Sequence, residues 1–169
     1  MSSICLATKM DKEDVLSLYK IQLGREYCPW DDEYPNEETI DFDLSRDSLF
    51  VMKDGGRIVA AITIDDDEAI NSLSCWDKAL SPGGELFRLA VLPDMQNKGI
   101  ARKMFMYGME ILRKRGFKSI HILVNKLNTP AIRSYEVFSL RNVGECHMFD
   151  QDFICYEKEL SDISEWQSK

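Results

Sequence analysis

The segment at residues 91–101 combines the residue types of an anion-binding loop, and it lies between an apolar strand and an amphipathic helix. We predict the strand over residues 85–91 and the helix from near Gly99 to about Gly116. The first turn of a helix carries unpaired backbone N–H groups and a partial positive charge, which together attract phosphate. Gly99 has no side chain and Ala101 has a small one, so a ligand can approach the backbone closely. The Walker spacing and the dinucleotide-binding glycine spacing do not occur, which excludes those two phosphate motifs.

Apolar periodicity predicts the elements of the first half of the chain. We predict a strand over residues 4–7, a helix over residues 10–19, and a second helix over residues 36–44 with Asn36 as its N-cap. The run Asp54-Gly55-Gly56 lies between two apolar segments and predicts a β-hairpin. The chain therefore begins as an alternation of strands and helices rather than as a helical bundle.

The second half continues the alternation around the central helix. Residues 65–82 are acidic and polar, and we predict a loop at the end of the sheet with a single tryptophan as its large apolar anchor. Residues 119–124 are the next predicted strand, and a short helix covers residues 129–139. The last antiparallel pair is predicted over residues 146–148 and 153–157. These elements predict an α/β fold with a mixed sheet.

Two segments resemble the conserved blocks of the GNAT superfamily of N-acetyltransferases. The string Q-N-K-G-I-A at residues 96–101 is similar to the family's acyl-CoA signature, Q/R-x-x-G-x-G/A, and it follows a strand that ends in Val-x-Pro. The string N-T-P-A-I-R-S-Y at residues 128–135 resembles the second block. The likeness runs roughly from residue 49 to residue 160. It implies an α/β GNAT fold with a central mixed, mostly antiparallel sheet flanked by helices, and a single domain over residues 1–169.

The resemblance also implies the reaction and the cofactor. Members of the family move the acetyl group of acetyl-CoA directly to a primary amine and release CoA. In this chain the end of the strand would pair with the pantetheine arm, and the Val91 N–H would polarise the thioester carbonyl. Residues 96–102 would line the phosphates, and the Asn128 side chain would reach the pantetheine. The residues that the resemblance assigns to the cofactor are Leu89, Ala90, Val91, Gln96, Asn97, Lys98, Gly99, Ile100, Ala101, Arg102, Asn128 and Tyr135.

Tyr135 matches the residue that protonates the leaving thiolate in the family. A phenol, with an ordinary pKa of about 10, is a suitable donor to a thiolate. The alternative is a tyrosine whose ring packs in the core. The family commonly continues Tyr-x-x-x-Gly-Phe, whereas Ser139 and Leu140 follow here. The end of this helix, and with it the direction of Tyr135, therefore departs from the family's pattern.

Glu85 is similar in position to the glutamate that histone-acetylating members use as a base through a water molecule. A carboxylate half-shielded in a cleft can have its pKa raised toward the working pH, which suits a base. The alternative is an exposed glutamate at the start of a strand. Ribosomal-protein N-terminal acetyltransferases use a glutamate on the following strand, and that position is Leu123 here. The resemblance therefore makes Tyr135 and Glu85 the catalytic candidates.

Acceptors in the family usually bind against the first two helices and the segment between them, which here is residues 25–34. Three aromatic side chains are interleaved with four carboxylates in this segment, a composition that can hold a cation by charge and by the faces of the rings. An ordinary surface loop pinned by Trp30 explains the pattern equally well. The candidate substrate-binding residues are Trp30, Asp31, Glu33 and Tyr34.

Composition limits the possible partners. The formal net charge is −8 over 169 residues, which disfavours nucleic acid and is compatible with a cationic substrate. The five cysteines are scattered without metal-binding spacing, and reduced thiols in the cytoplasm are their plain interpretation. The N-terminus lacks a signal-peptide pattern, and the longest apolar run, residues 58–62, is far shorter than the ~20 residues of a membrane span. We therefore expect a cytoplasmic protein without metal, nucleic-acid or membrane partners, in which a homodimer is possible.

The sequence thus predicts an acetyl-CoA-dependent N-acetyltransferase for a primary amine of a small molecule. Two alternatives stay open. One is an acetyltransferase that acts on protein N-termini or lysines, and the other is a non-catalytic GNAT-fold module that binds acyl-CoA or a metabolite.

Overall fold

The computed structural model describes residues 2–161, which contain a seven-stranded mixed sheet in the order β1-β2-β3-β4-β5-β7-β6. Strands β4 and β5 pair in parallel, and the pairs β1–β2, β2–β3, β5–β7 and β6–β7 are antiparallel. The α/β class and the mostly antiparallel sheet agree with the prediction. The strands are β1 (Ser2–Leu6), β2 (Leu49–Asp54), β3 (Arg57–Asp65), β4 (Gly83–Val91), β5 (Ser119–Asn125), β6 (Arg141–Met148) and β7 (Gln151–Glu159).

The contacts between Cα atoms group the chain into two compact units. Within the described residues, the first unit comprises residues 2–64 and 87–108, and the second comprises residues 65–86 and 109–161. Strand β4 and helix α4 (Ile100–Lys114) each contribute residues to both units. The single domain over residues 1–169 stays a prediction.

The first unit packs helices α1 (Lys12–Lys20) and α2 (Glu37–Ser45) in one hydrophobic core with β2 and β3. In α1, Val15, Leu18 and Tyr19 recur at i, i+3 and i+4, so they lie on one face of the helix, and all three are buried. Helix α1 begins at Lys12 and not at residue 10 as predicted. The reason is that the preceding residues form a short 3-10 turn.

Two local predictions in the first unit are confirmed. The Asn36 side chain caps α2 by accepting the Thr39 N–H at 2.9 Å. Strands β2 and β3 form an antiparallel hairpin around Gly55 and Gly56, whose φ angles of 57° and 83° are the left-handed values that such a turn requires.

In the second unit, residues 83–85 of β4 pair in parallel with residues 119–121 of β5. Gly83 is required here, because a Cβ at this position would collide with the ring of His121. The predicted loop at residues 65–82 contains helix α3 (Glu68–Asn71) and a short 3-10 turn. Its predicted anchor is confirmed, since Trp76 is buried and stacks on His121 with ring centroids 3.9 Å apart.

The C-terminal half of the second unit differs from the prediction in extent. Helix α5 (Thr129–Val137) ends two residues earlier than predicted, and Ser139 after it has a left-handed φ of 62°. Strands β6 and β7 are longer than predicted, because their antiparallel pairing continues with an irregularity near Gly144. Among residues 2–161, none of the helices combines the length and the apolar composition needed to cross a membrane.

Candidate active site

The segment between β4 and α4 forms a tight turn that exposes the start of the helix. Residues Pro93–Met95 make one 3-10 turn, and Asn97 and Gly99 then adopt left-handed φ angles of 61° and 79°. Helix α4 begins at Ile100, and the first intrahelical bond runs from the Lys103 N–H to the Gly99 carbonyl at 3.1 Å. A Cβ on Gly99 would meet no atom within 4 Å, so glycine serves the backbone conformation there and the space beside it is open.

The start of α4 differs from the starts of the neighbouring helices. Asn36 caps α2 and Asn128 caps α5 with side-chain oxygens, whereas Gly99 has no side chain that can do so. The first turn of α4 contains no acidic residue, while α1 and α2 each have two. No carboxylate in this turn therefore competes for the N–H groups at the start of α4, which suits an anionic ligand.

The residues predicted to line the phosphates have different exposures. Ile100 is buried and anchors the helix in the first unit, so only its backbone N–H is suited to a ligand. The Gln96 side chain accepts a hydrogen bond from Arg25 Nη2 at 2.7 Å. The other predicted phosphate-loop residues are exposed: Asn97, Lys98, Gly99, Ala101 and Arg102.

The end of β4 is held by a side chain that the sequence analysis did not identify. Gln22 is buried, and its Nε2 donates to the Val91 carbonyl at 3.0 Å. The Leu92 N–H, in the same peptide as that carbonyl, donates to Val59 O at 2.9 Å. The peptide after Val91 is thus fixed on both sides. Ala90 and Val91 are buried, and Leu89 is half-buried.

Arg88 is a second unpredicted residue of the site region. It has a left-handed φ of 49° inside β4, which is unusual for a residue with a side chain. Its Nη2 donates to both oxygens of buried Asp43 at 2.7 and 2.6 Å, and its Nη1 donates to the Tyr34 hydroxyl at 2.8 Å. Asp43 also accepts the Thr63 hydroxyl at 2.9 Å. This buried ion pair holds the irregular backbone of β4 in the first unit.

The predicted acceptor residues lie on the segment between α1 and α2, and the side chains of three of the four make contacts within the first unit that are described here. Trp30 packs edge-on against Tyr19, with ring centroids 5.3 Å apart. The Asp31 carboxylate accepts the N–H groups of Glu33 and Tyr34, both at 2.9 Å. The Tyr34 hydroxyl contacts Arg88 as described above. These contacts order the segment, while the Glu33 side chain stays exposed.

Glu85 lies in the second unit and is buried, with 2% of its surface exposed, so the alternative of an exposed strand-end glutamate is wrong. Among the described residues, neither carboxylate oxygen makes a well-formed hydrogen bond, although the Asp67 N–H favours the charged form of the carboxyl. Burial, together with the negative charges of Asp67, Asp66 and Asp65, raises the pKa of Glu85 to about 9. The carboxyl is therefore protonated at neutral pH in this structure.

Tyr135 and Asn128 lie at opposite ends of α5 in the second unit. Tyr135 is half-buried, with its ring 6.0 Å from the ring of Tyr156, and burial of the hydroxyl raises its pKa to about 12. Asn128 accepts the Ala131 N–H through Oδ1 at 3.3 Å. The amide oxygen of Asn128 is thus engaged as a helix cap, and its Nδ2 group is the part suited to a ligand.

A buried polar cluster in the second unit has the residue types of a hydrolase but not the geometry. His121 Nε2 lies 2.9 Å from Glu157 Oε2 and 3.3 Å from Ser119 Oγ. A catalytic relay needs the acid and the nucleophile on opposite ring nitrogens, whereas both share Nε2 here. Burial lowers the pKa of His121, while the hydrogen bond and the negative charge of Glu157 oppose this shift.

Within residues 2–161, no group of three or more His, Cys, Asp or Glu side chains is arranged to hold a metal ion. All five cysteines are free thiols.

Comparison with known proteins places this site in a family context. A family model described as Acetyltransferase (GNAT) family matches residues 15–139. A mycothiol acetyltransferase of Acidothermus cellulolyticus is 34% identical over 70 residues, which are 41% of this chain and 21% of that protein. The match thus spans only about one-fifth of that relative's length.

Solved structures share the fold. The ribosomal-protein-S18-alanine N-acetyltransferase of Escherichia coli aligns with a TM-score of 0.70 and 20% identity, covering 96% of both chains. The protein yncA of Salmonella typhimurium, solved with its cofactor acetyl-CoA, aligns with a TM-score of 0.73 and 16% identity, covering 95% of both chains.

Proposed function

Because the chain belongs to the GNAT acetyltransferase family, we propose that it transfers the acetyl group of acetyl-CoA directly to a primary amine of a small molecule. The observation that carries this proposal is the start of α4. Asn97 and Gly99 turn the backbone there so that the helix begins without a side-chain cap and without an acidic first turn. A pyrophosphate is the anion that such a helix start binds well.

The residues around the start of α4 fit the phosphates of acetyl-CoA. The open space beside Gly99 permits close approach, and the Lys98 and Arg102 side chains add positive charge. Gln96 is held by Arg25 and shapes the turn. When bound, acetyl-CoA supplies an activated thioester, and the residues of this chain orient it and manage the protons.

The end of β4 supports the proposed role of the Val91 N–H in polarising the thioester carbonyl. The following peptide is fixed by Gln22 and by Val59, so the backbone at Val91 has little freedom to reorient. A donor that is already in position stabilises developing negative charge without a reorganisation cost. Leu89 and Ala90 would pair with the pantetheine arm, and Asn128 would donate to it through Nδ2.

Tyr135 is the proposed donor to the leaving sulfur. Its pKa of about 12 keeps the hydroxyl protonated at every working pH, so the donor form is always present. A thiol has an ordinary pKa near 8.5, so the phenol stabilises the sulfur through a hydrogen bond more readily than by complete proton loss.

Glu85 is the proposed base, acting through water on the acceptor amine. Its pKa of about 9 means that only a small fraction of the carboxyl is ionised at pH 7. A carboxylate with a raised pKa is a stronger base than an ordinary one once it is ionised. A positive charge near Glu85 would lower its pKa and so increase the ionised fraction.

The segment between α1 and α2 is the proposed acceptor surface. Trp30, Asp31 and Tyr34 are held in place, and the exposed Glu33 carboxylate lies among them. An ordered acidic and aromatic surface of this kind attracts an ammonium group.

A small-molecule acceptor is also supported by the relative named as a mycothiol acetyltransferase. The five free thiols are compatible with action in the cytoplasm. We further propose that a homodimer is possible and that neither nucleic acid nor a membrane is a partner.

A panel experiment tests the proposal. The protein is incubated with acetyl-CoA and separate pools of monoamines, diamines, amino acids, aminoglycosides and peptides, and acetylated products are identified by mass spectrometry. We expect acetylated small amines and equimolar free CoA. Products found only in the peptide pools would assign the protein alternative. Binding of CoA without acetylation of any acceptor would assign the non-catalytic alternative.

A further inference from the structure

Segment 65–82 lies against one face of the sheet within the second unit. Trp76 stacks on His121 of β5 with ring centroids 3.9 Å apart. The Asp77 N–H donates to both carboxylate oxygens of Glu157 on β7, at 3.2 and 3.3 Å. His121 and Glu157 are directly opposite each other on paired strands, so both contacts lie on the same face. Both contacts are noncovalent, and a local opening of the segment would break them.

Cys75 comes just before this anchor, and it lies where β6 carries no side chain. A Cβ built on Gly144 of β6 would be only 3.2 Å from the Cys75 Cβ, so a larger residue at position 144 would crowd Cys75. Gly144 is the register partner of Cys155 on β7. Directly opposite positions on paired strands have Cβ atoms about 4.5–5.5 Å apart. Cys75 therefore lies beside the position that faces Cys155, and the glycine leaves room for it.

Cys146 is a third thiol on this face, because it follows Gly144 by two residues on β6. It is diagonal to Cys155 in the register. Diagonal neighbours are about 7–8 Å apart, whereas the Cβ atoms of a disulfide are about 3.5–4.5 Å apart. Within the described part of the chain, these thiols are not arranged to hold a metal ion. Cys75 is thus the better partner for Cys155, since it belongs to a connecting segment and not to the neighbouring strand.

The Cys75 and Cys155 thiols differ in exposure. Cys75 is half-buried, and Cys155 is fully buried. Burial raises the pKa of both thiols, while a hydrogen bond from the Cys155 thiol favours the thiolate of Cys75. Cys75 is therefore the thiol that a small oxidant reaches first, and Cys155 is the neighbour that can react with it afterwards.

We propose that Cys75 and Cys155 are a site of reversible oxidation by a peroxide, at which a disulfide ties segment 65–82 to β7. The inference is independent of the proposed acetyltransferase function. The few disulfides of cytoplasmic proteins are mostly transient and redox-sensing, which fits a pair that is reduced in this structure.

The reaction has two balanced steps. The Cys75 thiolate attacks one oxygen of hydrogen peroxide, and the O–O bond breaks, which leaves a sulfenic acid on Cys75 and a hydroxide ion. The Cys155 sulfur then attacks the sulfenic sulfur, and the S–O bond breaks. The hydroxyl group leaves with the Cys155 proton as water, and the disulfide remains. A dithiol reductant reverses the oxidation by thiol–disulfide exchange.

Peptide mapping tests the pairing. The full chain is treated with hydrogen peroxide, the remaining thiols are alkylated, and the unreduced digest is analysed by mass spectrometry. We expect a linked pair of peptides containing Cys75 and Cys155, loss of two of the five free thiols, and recovery of both after dithiothreitol. A disulfide through Cys146, single oxidised cysteines without a linked pair, or an unchanged set of thiols would overturn the inference.

Two serine variants separate the pair from its neighbour. Cys75→Ser should lose no pair of thiols under peroxide, whereas Cys146→Ser should form the disulfide as the parent does. Cys146 is the matched control, because it is also half-buried and lies on the same face. Cys155 is left intact, since the substitution of a fully buried residue can itself impair folding. Equal loss of thiols in Cys75→Ser and in the parent would overturn the pairing.

The melting temperature tests whether the disulfide ties the segment. A disulfide that closes a long stretch of chain restricts the unfolded state, so oxidation should raise the Tm of the parent by roughly 5 °C or more. The same treatment should leave the Tm of Cys75→Ser unchanged, and dithiothreitol should reverse the rise in the parent. A parent that forms the disulfide without a rise in Tm would show that segment 65–82 is not tied.

Discussion

The side-chain amide of Gln22 donates to the carbonyl of Val91 at 3.0 Å, so a residue just after α1 fixes the end of β4. Both residues are buried, which makes this contact costly to lose. Val91 is the proposed polariser of the thioester, and Gln22 is therefore a positioning residue for the proposed reaction.

Replacing Gln22 with leucine should remove the shorter of two side-chain amide hydrogen bonds to the Val91 carbonyl and leave only the longer one from Gln96 Nε2 at 3.5 Å. We expect a loss of about 1–3 kcal/mol in the free energy of unfolding, measured by denaturant titration, and a lower kcat. Ile21→Ala is the control, because Ile21 is half-exposed and its truncation should change stability less. A Gln22→Leu variant with parental kcat would exclude the positioning role.

Gly99→Val should weaken binding of CoA. Gly99 and Gly24 have the same φ of 79°, and a Cβ on either meets no atom within 4 Å, so valine imposes a similar backbone strain at both. Only Gly99 lies at the start of α4. We expect both variants to lose roughly 1–2 kcal/mol of stability, and only Gly99→Val to lose about tenfold or more in CoA affinity by calorimetry. Equal CoA affinity in the two variants would show that the phosphates of CoA do not bind at the start of α4.

Tyr135→Phe removes one hydroxyl and should keep the fold. Loss of a positioned donor is expected to lower kcat by roughly 100-fold with little change in CoA affinity. Because the pKa of Tyr135 is raised to about 12, the parent enzyme should show no alkaline decline from this group up to pH 10. Tyr107→Phe is the control, because Tyr107 is half-buried on α4, packs against Phe50 and lies outside the proposed site. An unchanged kcat in Tyr135→Phe would show that Tyr135 is not the proton donor and that its ring only packs in the core.

Glu85 should make stability depend on pH. Its folded-state pKa of about 9 lies above the ordinary value of 4.5, so the folded state holds the proton more tightly than the unfolded state. The resulting stabilisation is complete below pH 4.5 and is lost as the pH rises to 9, by at most about 1.4 kcal/mol per pH unit. From pH 6 to pH 8, the parent should lose up to about 2.7 kcal/mol more than Glu85→Gln.

Unfolding titrations of both proteins at the two pH values measure this difference, and the same variant tests the base. Glu85→Gln should bind CoA normally and lose kcat. Parallel pH dependences in the parent and in Glu85→Gln would show that Glu85 is not a buried acid.

Neutralising Asp32 and Glu33 together should raise the KM of a cationic acceptor about threefold to tenfold, because both carboxylates are exposed on the proposed acceptor surface. Asp31 is left intact, since its carboxylate holds the turn. Glu38→Gln on α2 is the exposed control. A KM equal to that of the parent in the double variant would show that the segment between α1 and α2 does not bind the acceptor.

The sequence by itself determined most of the helices and strands and the turn before α4, because these features depend on residue preferences within a few positions. The hairpin at Gly55 and Gly56, the Asn36 cap and the apolar stripe of α1 follow from turn preferences and periodicity, which act over a few residues. The start of α4 at Gly99 was predictable for the same reason, since its glycine and the missing acids are visible in the sequence.

Only the tertiary structure decided which distant groups meet and how deeply they are buried. Gln22 and Val91 are 69 residues apart, and Arg88 and Asp43 are 45 apart, so no local pattern signals either contact. The exposure of Glu85 was undetermined for a related reason. A glutamate at the start of a strand is open to water or buried depending on what folds over it, and here burial and the carboxylates of residues 65–67 raise its pKa to about 9. Desolvation and long-range charge depend on the packed fold, and they convert a plain carboxylate in the sequence into a protonated acid in the structure.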